Sequence, residues 1–380
     1  MTDRSRSAYA AAGVSVTAGE PAVELMRAHV ESTRRPEVVG GLGGFGGAFA
    51  IPPGYREPLL IASTDGVGTK TAIAAAVGRF DTIGIDLVAM CADDVVCAGA
   101  EPLAFLDYLA VGRLDPVAVA ELVGSVAAGC RQAGAALVGG ETAEHPGLMG
   151  ADAFDLAGCC IGVVERSKVI DGSAVRAGDV ILGLASSGLH ANGYSLVRSL
   201  VSQWDLDLGE PYQARLRRSL GDGVVDDLVA AAPHESMATL GEVLLTPTRI
   251  YARAVLAAIA ATEIHGLAHI TGGGLPGNVP RALPDGLAAR LDPTRWSMPS
   301  VMRLFGALGG LDDAELRATF NGGLGMVAVV PPAAVPDAIG IFAGHGIEAR
   351  LVGEVMASTS VGGQRYVEGP LTPGVSIERR

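Results

Sequence analysis

Short apolar runs and helix-like spacings of apolar residues alternate along the first half of the chain. Apolar runs that predict strands lie near 59–63, 103–110, 136–139 and 156–164. Stretches with helical spacing lie at 21–35, about 71–78, 83–98 and 116–133. Strands that alternate with helices in this way predict an α/β or α+β domain.

The second half continues the alternation. Val180–Ala185 is a wholly apolar run and predicts a buried strand. Further strands are predicted at 266–270, 325–330 and 349–355. Helices are predicted at 192–203, 223–231, 248–261 and 299–308.

Chain length and two polar turns predict the domain organisation. At 380 residues the chain is too long for one ordinary hydrophobic core. Polar turns at 170–179 separate the two alternating stretches, so we predict an N-terminal domain at 1–168 and a C-terminal α/β domain at 169–355. Residues 356–380 are rich in Ser, Gly and Pro, which predicts a flexible tail.

Charge and composition narrow the function classes. A net charge of −13 argues against nonspecific nucleic-acid binding. No apolar run approaches the ~20 residues of a membrane helix, so no membrane partner is expected. The N-terminus lacks the apolar core of a signal peptide, which predicts a cytoplasmic protein. Five cysteines without a Cys-x-x-Cys pair are expected to be reduced thiols rather than a zinc site.

The most informative motif follows the apolar run at 59–61. Asp65-Gly66-Val67-Gly68-Thr69-Lys70 places a carboxylate, two glycines, a hydroxyl and a lysine at the end of a predicted strand. Glycines let backbone N–H groups approach phosphate oxygens, a lysine supplies a cation, and a carboxylate can hold a divalent metal. Thr69 stands where a Walker loop has glycine, so we predict a nucleotide site of another kind; the alternative is a plain Gly-rich turn.

A second Gly-rich segment spans residues 40–47. It satisfies the dinucleotide pattern G-x-G-x-x-G formally, but it follows a charged segment rather than a strand. Six glycines in eight residues are costly in backbone entropy, which a bound ligand would offset. We favour a cover over phosphates at Gly43, Gly44 and Gly46, against a passive linker.

Carboxylates recur on one predicted helix and at another strand end. Asp86, Asp93 and Asp94 lie within an otherwise apolar helical stretch, where acids are costly unless paired or metal-bound. A helix cap or a solvated edge would explain one of them, whereas three favour a metal role. Gly140 and Glu141 follow the strand at 136–139, and this acid could join the others around Mg²⁺.

Polar residues at strand ends of the second half predict substrate contacts. His190 and Asn192 follow the strand Val180–Ala185 at a strand-to-helix turn. Taken alone, His190 is more often a surface or capping residue. Thr271–Gly274 follows the strand predicted at 266–270 with a glycine triplet. Several Gly-rich loops at strand ends favour a large, multiply phosphorylated ligand set over chance turns.

Together these motifs resemble the phosphoribosylformylglycinamidine cyclo-ligase family, also called aminoimidazole ribonucleotide synthetases. The similar segments follow the family's order over most of residues 8–355. They are Thr33–Val38, Gly40–Gly46, Thr64–Lys70, Asp81–Met90, Gly99–Pro102, Val138–Ala143, Ser186–Leu196, Leu245–Tyr251, Ala268–Gly274 and Thr319–Met326.

The resemblance implies two α/β domains and a homodimer whose N-terminal strands combine into one β-barrel, with ATP binding and dimerisation in the N-terminal domain. It also implies ATP and Mg²⁺, and formylglycinamidine ribonucleotide as substrate. The reaction would give aminoimidazole ribonucleotide, ADP and phosphate in purine biosynthesis.

The resemblance also carries over roles for residues. Asp65, Asp94 and Glu141 would bind the metal. His190, Asp65 and Lys70 would be catalytic. Contacts with ATP would come from Gly43, Gly44, Gly46, Asp65, Gly66, Gly68, Thr69, Lys70, Gly140 and Glu141. Contacts with the substrate would come from His190, Asn192, Arg249, Thr271, Gly272 and Gly273.

Two positions depart from the family pattern. Arg27 stands where related sequences often have lysine, and Asp93 stands where asparagine is common. The nearest alternatives are other members of the superfamily: thiamine-monophosphate kinase, selenophosphate synthetase and formylglycinamidine synthetase. A noncatalytic nucleotide-binding paralogue is a further alternative.

Overall fold

A computed structural model describes residues 16–41, 43–223, 225–226 and 238–373. The first half contains a short hairpin of β1 (Val38–Val39) and β2 (Ala48–Phe49) and a four-stranded sheet in the order β3-β6-β4-β5. The sheet strands are β3 (Pro58–Gly66), β4 (Glu101–Val111), β5 (Ala136–Glu144) and β6 (Phe154–Glu165). The helices are α1 (Val16–Glu31), α2 (Lys70–Val77), α3 (Ile83–Cys97) and α4 (Pro116–Ala133). The strands and helices predicted for this half are confirmed, with α1 shifted toward the N-terminus.

Helix α3 is buried on nearly all sides. Thirteen of its fifteen residues are buried, because it packs against the sheet, α4 and the second half of the chain. A helix that is apolar all round belongs in a protein interior, and α3 follows this rule apart from its aspartates. The acids of α3 therefore face protein rather than bulk water.

The opposite face of the four-stranded sheet is only partly covered in the single chain, by Phe49 and Tyr55 packed against Val163. Exposure along β3 alternates residue by residue, as expected for a strand with one buried side. Leu60 on β3 is 55% exposed and Tyr108 on β4 is 41% exposed. This open sheet face thus carries large apolar side chains that the described part of the chain leaves uncovered.

The second half is built around a six-stranded sheet in the order β12-β9-β11-β7-β10-β8. Its strands are β7 (Val180–Ala185), β8 (Gly266–His269), β9 (Leu287–Leu291), β10 (Leu324–Val330), β11 (Ala349–Ala357) and β12 (Tyr366–Glu368). Its helices are α5 (Tyr194–Gln203), α6 (Tyr212–Leu220), α7 (Leu240–Leu244), α8 (Ala252–Ala261), α9 (Gly274–Asn278), α10 (Ser300–Gly309), α11 (Asp313–Thr319) and α12 (Val335–Gly344). Short 3-10 turns lie at Arg166–Lys168, Val279–Ala282, Pro293–Arg295, Pro332–Ala334 and Ser358–Val361.

The predicted strands of this half and the helices predicted at 192–203, 248–261 and 299–308 are confirmed, with ends that differ by a few residues. Most of the helix predicted at 223–231 lies outside the described residues. The first sheet ends at Glu165 and the second begins at Val180. The boundary between residues 168 and 169 stays a prediction.

The two halves share one continuous apolar core, and α3 forms much of their contact. Helix α3 packs against the edge strand β8 and against α8. Among the described residues, no helix is both long enough and apolar enough to span a bilayer.

The prediction of a flexible tail at 356–380 is wrong for residues 356–373. Strand β12 pairs in parallel with β9, and the Arg317 guanidinium donates to both carboxylate oxygens of Glu368, at 2.9 and 2.6 Å. The Thr372 N–H donates to Glu354 Oε1 at 2.8 Å. The pairing joins segments far apart in sequence, so composition alone could not reveal it. Residues 374–380 lie outside the described residues.

Candidate active site

Lys70 is the centre of a buried polar junction between the two halves. Its Nζ donates to Asp86 Oδ1 at 2.9 Å, to the His190 carbonyl at 3.1 Å and to the Thr246 carbonyl at 2.8 Å. These contacts occupy all three ammonium protons. The side chains of Lys70 and Asp86 are both 0% exposed. The structure therefore contradicts the prediction that Lys70 is a mobile cation for phosphate, because its ammonium group is buried and all three of its protons are donated to protein oxygens.

Asp86 completes the junction. Its Oδ1 also accepts from the Thr248 N–H at 2.8 Å and from Thr248 Oγ1 at 2.5 Å. Burial raises the pKa of Asp86 and lowers the pKa of Lys70, while their direct contact opposes both shifts. Burying an ion pair of this kind carries a large desolvation cost. Removing one partner is strongly destabilising, because it leaves the other charge buried and unpaired. Helix α2, helix α3 and the 246–248 segment are thus fixed to one another.

Asp93 accepts a hydrogen bond from the backbone at the start of helix α8. The Tyr251 N–H, at the N-terminus of α8, donates to Asp93 Oδ1 at 2.9 Å. A carboxylate is favourable at a helix N-terminus. Asp93 Oδ2 has no partner among the described residues, and burial raises the pKa of this carboxyl group to about 7. The metal role predicted from three acids on one helix is wrong for Asp86 and Asp93, which face protein donors.

Asp94 is the acid of α3 that reaches the opening between the halves. Its Oδ1 lies 2.9 Å from His269 Nδ1, and Ser63 Oγ lies 3.5 Å from its Oδ2. The Asp94 side chain is 40% exposed. Because a carboxylate only accepts hydrogen bonds, His269 Nδ1 is the donor and Nε2 of the neutral ring keeps its lone pair. His269 Nε2 is buried without a partner among the described residues.

Asp65 lies beside this pair. It is two residues beyond Ser63 on β3, so both side chains point to the face of the sheet that α3 covers. Burial raises the pKa of Asp65; the Gly66 N–H, which donates to Oδ1 at 2.7 Å, opposes this, and the nearby charge of Asp94 adds to it. Two adjacent carboxylates of like charge form an arrangement that a divalent cation stabilises.

A cavity of about 370 Å³ opens next to Asp94 and His269. Asn278 and Arg281 line its other side, and Arg281 Nη1 donates to Asn278 Oδ1 at 3.0 Å. Acid, imidazole, amide and guanidinium therefore meet in one cavity between the two sheets. Neither His269 nor Arg281 was among the predicted site residues. His269 lies two residues before Thr271 of the Thr271–Gly274 motif, and a histidine close to a glycine triplet was the available signal.

Three of the predicted loops converge near this opening. The Asn278 amide donates to the carbonyls of Thr271, Gly272 and Gly274, at 3.3, 3.1 and 2.9 Å, and so shapes the loop that carries the exposed Gly272 and Gly273. A Cβ on Gly272 would lie 3.8 Å from Asn192 Oδ1.

The loop after β3 reaches the same region. Thr69 Oγ1 lies 3.3 Å from Ser195 Oγ at the start of α5, and Gly68 is exposed with a φ of 71°. The turn at 66–69, the turn at 192–195 and the loop at 271–273 thus lie beside one another.

His190 is held inside the protein. The residue is 1% exposed, its φ is 63°, and its Nε2 accepts the Ser187 N–H at 3.1 Å. Burial keeps the pKa of His190 well below its usual value, and the nearby His269 and Lys70 side chains act in the same direction. Because Nε2 is an acceptor, the neutral ring carries its proton on Nδ1. The predicted role of His190 as a proton shuttle is not supported in this state, since its lone pair is already used.

Glu141 does not join Asp65 and Asp94. The register across the sheet aligns Asp65, Gly158, Asp107 and Gly140 in one row, whereas Glu141 is aligned with Tyr108 in the next row. Neighbouring rows point to opposite faces, so Glu141 lies on the open sheet face. Strands β3 and β5 are also opposite edges, roughly 14 Å apart at a strand spacing of about 4.8 Å. The predicted metal set of Asp65, Asp94 and Glu141 is therefore wrong within one chain.

The Gly-rich loop at 40–47 lies near the β5 edge as well. Gly44 and Gly46 line a cavity with Val138, and a Cβ on Gly47 would lie 2.5 Å from the Val138 carbonyl oxygen. Within one chain, this edge of the sheet is the one opposite Asp65, so the loop does not cover the turn at 66–69. The predicted nucleotide contacts of Gly43, Gly44, Gly46, Gly140 and Glu141 are not brought together with those of Asp65–Thr69.

Arg249 borders a different cavity. Its Nη1 donates to the Ala185 carbonyl at 3.2 Å, and with Arg131, Arg253 and His345 it lines a volume of about 500 Å³. The structure does not bring it to the cavity of Asp94 and His269.

The described residues contain no group of three or more His, Cys, Asp and Glu side chains that would hold a metal alone. Asp65 and Asp94 nevertheless fit Mg²⁺, which is often bound by one or two carboxylates together with substrate phosphates and water.

Comparison with known proteins identifies the family of the chain. The family model of the AIR synthase related protein, N-terminal domain, matches residues 51–164, and that of the C-terminal domain matches residues 176–365. The chain is 50% identical to a phosphoribosylformylglycinamidine cyclo-ligase of Thermosynechococcus vestitus, over 92% of this chain and 96% of the relative. It is 48% identical to that of Myxococcus xanthus, at 92% and 96% coverage, and 49% identical to that of Gloeobacter violaceus, at 93% and 98%.

Solved structures of similar fold are more distant in sequence. A thiamine-monophosphate kinase from Stenotrophomonas maltophilia K279a superposes with a TM-score of 0.62 at 17% identity, over 92% of this chain and 95% of that one. The hydrogenase maturation protein HypE in complex with ATP gives 0.61 at 19% identity, over 97% of both chains. At this identity the likeness shows the fold alone.

Fold and site together define a mixed α/β protein with the two AIR synthase related domains. The chain belongs to the phosphoribosylformylglycinamidine cyclo-ligase family, and it is an ATP-dependent ligase of purine biosynthesis. The predictions of family and enzyme class are confirmed. The superfamily alternatives have weaker support, because the kinase of similar fold shares only 17% of its residues.

Replacing Lys70 tests whether it is structural. Lys70→Met keeps most of the side-chain volume but leaves the buried Asp86 carboxylate without its cation, so we expect a loss of about 3–5 kcal/mol in the free energy of unfolding, measured in urea. Adding Asp86→Asn should restore part of that loss, because the uncompensated charge disappears. A Lys70→Met variant of native stability, with only a raised KM for ATP, would show that Lys70 acts on phosphate instead.

Replacing Asp93 tests its raised pKa. Folding raises the pKa from 3.8 to about 7, so between these values the native state binds more protons than the unfolded state. Stability should therefore fall as pH rises from about 4 to 7. Asp93→Asn keeps the acceptor for Tyr251 and removes this loss. It should match the wild type at pH 4 and exceed it at pH 8, by at most roughly 4 kcal/mol.

The measurement for Asp93 is the free energy of unfolding across that pH range. Asp152→Asn is the matched control, because the Asp152 side chain is 91% exposed. Parallel curves for Asp93→Asn and the wild type would contradict the assignment.

Proposed function

We propose that the chain closes the imidazole ring of formylglycinamidine ribonucleotide, with ATP as co-substrate and aminoimidazole ribonucleotide, ADP and phosphate as products. The observation that carries this proposal is the meeting of Asp65, Asp94 and His269 beside the cavity between the two halves. The curated relatives at 48–50% identity are named as phosphoribosylformylglycinamidine cyclo-ligases, which supports the same reaction here.

The chemistry needs alignment and charge neutralisation rather than a protein nucleophile. The formyl oxygen of the substrate takes the γ-phosphoryl group of ATP, the neighbouring amidine nitrogen attacks the activated carbon, and phosphate leaves as the ring closes. Such phosphoryl transfer depends on positioning and electrostatic stabilisation. Mg²⁺, held by Asp65 and Asp94, would neutralise phosphate charge when bound.

The residues of the chain would divide the remaining tasks. His269 is oriented by Asp94, so its Nε2 lone pair is the proposed acceptor for the amidine proton lost in ring closure. Arg281, on the other side of the cavity, would bind a phosphate through its guanidinium. The exposed backbone at Gly68, Gly272 and Gly273 would approach ligand oxygens without side-chain interference.

We also propose a homodimer in which the open sheet faces of two chains form one barrel. Leu60 is 55% exposed, and Thr64 is aligned with Cys159 and through it with Leu106, which places a partly apolar surface on this face. Closing two sheets on each other would remove that surface from water. Glu141 and Tyr108 would then lie in the interface.

The ring-closing assay tests the function directly. Purified protein with formylglycinamidine ribonucleotide and ATP should form ADP and aminoimidazole ribonucleotide in equal amounts. Asp65→Asn should lower kcat/KM by about 100-fold or more, since it weakens the placement of Mg·ATP, whereas Asp152→Asn should leave it unchanged. ADP release without ring product, or phosphorylation of thiamine monophosphate instead, would contradict the proposal.

The dimer is tested by molar mass in solution. Wild-type protein should elute as a dimer under light-scattering detection, and Leu60→Arg should shift the equilibrium to monomer by placing a charge in the interface. Val117→Arg is the control, because Val117 is 68% exposed on helix α4, away from the open sheet face. A monomeric wild type, or a dimer indifferent to Leu60→Arg, would rule out this interface.

A further inference from the structure

The C-terminal strand β12 directs two charged side chains to elements that border the candidate active site. Strand β12 pairs in parallel with β9, and the Ala289 N–H on β9 donates to the Arg365 carbonyl at 2.9 Å. This backbone pairing fixes the positions from which the side chains of Arg365 and Glu368 extend. The resemblance assigns no role to either residue.

Arg365 holds the segment that carries Arg281. Its Nη2 lies 2.9 Å from the Pro280 carbonyl oxygen and 3.4 Å from that of Pro284, and it also contacts the Leu283 carbonyl. Three carbonyl groups of one short segment therefore converge on one guanidinium group. Because the segment cannot shift without breaking these contacts, Arg365 fixes the backbone from which Arg281 reaches the cavity.

Glu368 acts on helix α11 through Arg317. The two hydrogen bonds from Arg317 to Glu368 form a bidentate ion pair, and the side chains are only 10% and 23% exposed. A bidentate pair of arginine and carboxylate fixes direction as well as distance. The Tyr366 hydroxyl also donates to Glu368 Oε1, at 2.8 Å. The pair therefore fixes α11 to β12.

The end of α11 lies directly against the glycine loop. A Cβ on Gly274 would lie 2.0 Å from the Arg317 carbonyl oxygen and 2.6 Å from that of Phe320. Gly274 also has a φ of 57°, so both its conformation and the space around it require glycine. The position of α11 therefore sets the position of the loop that carries the exposed Gly272 and Gly273.

The loop and the Arg281 segment are joined to each other by one buried amide. Asn278 is 2% exposed, donates to the carbonyls of Gly272 and Gly274, and accepts from Arg281 Nη1. The two elements thus form one unit, and the C-terminal strand holds this unit at two points.

We propose that Arg365 and Glu368 are positioning residues, which hold the Gly272–Gly273 backbone and the Arg281 guanidinium in the arrangement that binds the phosphorylated substrate. The proposal rests on the proposed function. Neither residue lines the cavity, so Arg365 acts through the Arg281 segment and Glu368 acts through Arg317. Alignment of the substrate contributes strongly to such reactions, and a small displacement of its binding groups is costly.

Steady-state kinetics of full-length variants test the proposal. Glu368→Ala and Arg365→Met should each raise the KM for formylglycinamidine ribonucleotide by about tenfold, with the KM for ATP within about twofold of the wild type. Glu368→Gln keeps one acceptor for Arg317, so its KM should lie between those of Glu368→Ala and the wild type. Glu348→Gln is the matched control, because the ion pair of Glu348 and Arg350 is more than half exposed; it should change neither KM.

Hydrogen exchange of the ligand-free protein tests the same contacts without catalysis. Glu368→Ala should speed exchange of the amides at 272–275, and Arg365→Met that of the amides at 281–283, by about tenfold, while the amides of β7 and β10 exchange as in the wild type. If Glu368→Ala does not fold, Glu368→Gln should show a smaller change in the same direction.

Faster exchange together with a raised KM for the ribonucleotide would support the inference. Wild-type exchange at both segments would overturn it, as would faster exchange with an unchanged KM. An equal rise in the KM for ATP would also overturn it, because that result indicates a general loss of structure.

Calorimetric titration with ribose 5-phosphate separates this inference from the proposed function. Glu368→Ala should weaken binding of this probe by about tenfold even in a protein that does not close the ring, and that result would refute the proposed function alone. Binding of the probe that is unchanged by both Glu368→Ala and Arg365→Met would overturn the inference.

Discussion

The buried ion pair of Lys70 and Asp86 is the constraint on which the site depends. An ammonium group with no exposed surface must find a counter-charge and acceptors within the protein. It finds them on helix α3, in the His190 turn and in the 246–248 segment, so one side chain joins elements from both halves. The turn at 66–69 directly precedes Lys70 and is thereby held against the C-terminal half, which fixes the position of the exposed Gly68.

The geometry of the first sheet separates acids that the sequence groups together. Asp65 faces α3 and meets Asp94 and His269, while Glu141 belongs to the next row and faces the other side. The three aspartates of α3 likewise have different partners. Asp86 neutralises Lys70, Asp93 stabilises the start of α8, and Asp94 alone reaches the cavity. The site therefore contains two carboxylates, one oriented imidazole and one guanidinium.

Much of the fold follows from local sequence patterns, and less of the site does. Apolar runs and helical spacings predict β3, β4, β6, β7 and α4 closely, because these elements bury one continuous face. Strand β12 escaped prediction, since its pairing with β9 depends on a contact between distant segments. The Asp65 motif was recognised, but Lys70 was given the wrong partner, because a sequence does not show whether a lysine faces a ligand or a buried aspartate. His269 was missed because its role depends on the packing of β8 against α3.

The most direct test is a crystal structure of the protein with Mg²⁺ and a nonhydrolysable ATP analogue. The account predicts that Lys70 Nζ stays within hydrogen-bonding distance of Asp86 while Asp65 and Asp94 approach the metal and phosphates. A structure in which Lys70 leaves Asp86 to contact the phosphates, or in which the metal lies away from both aspartates, would contradict it.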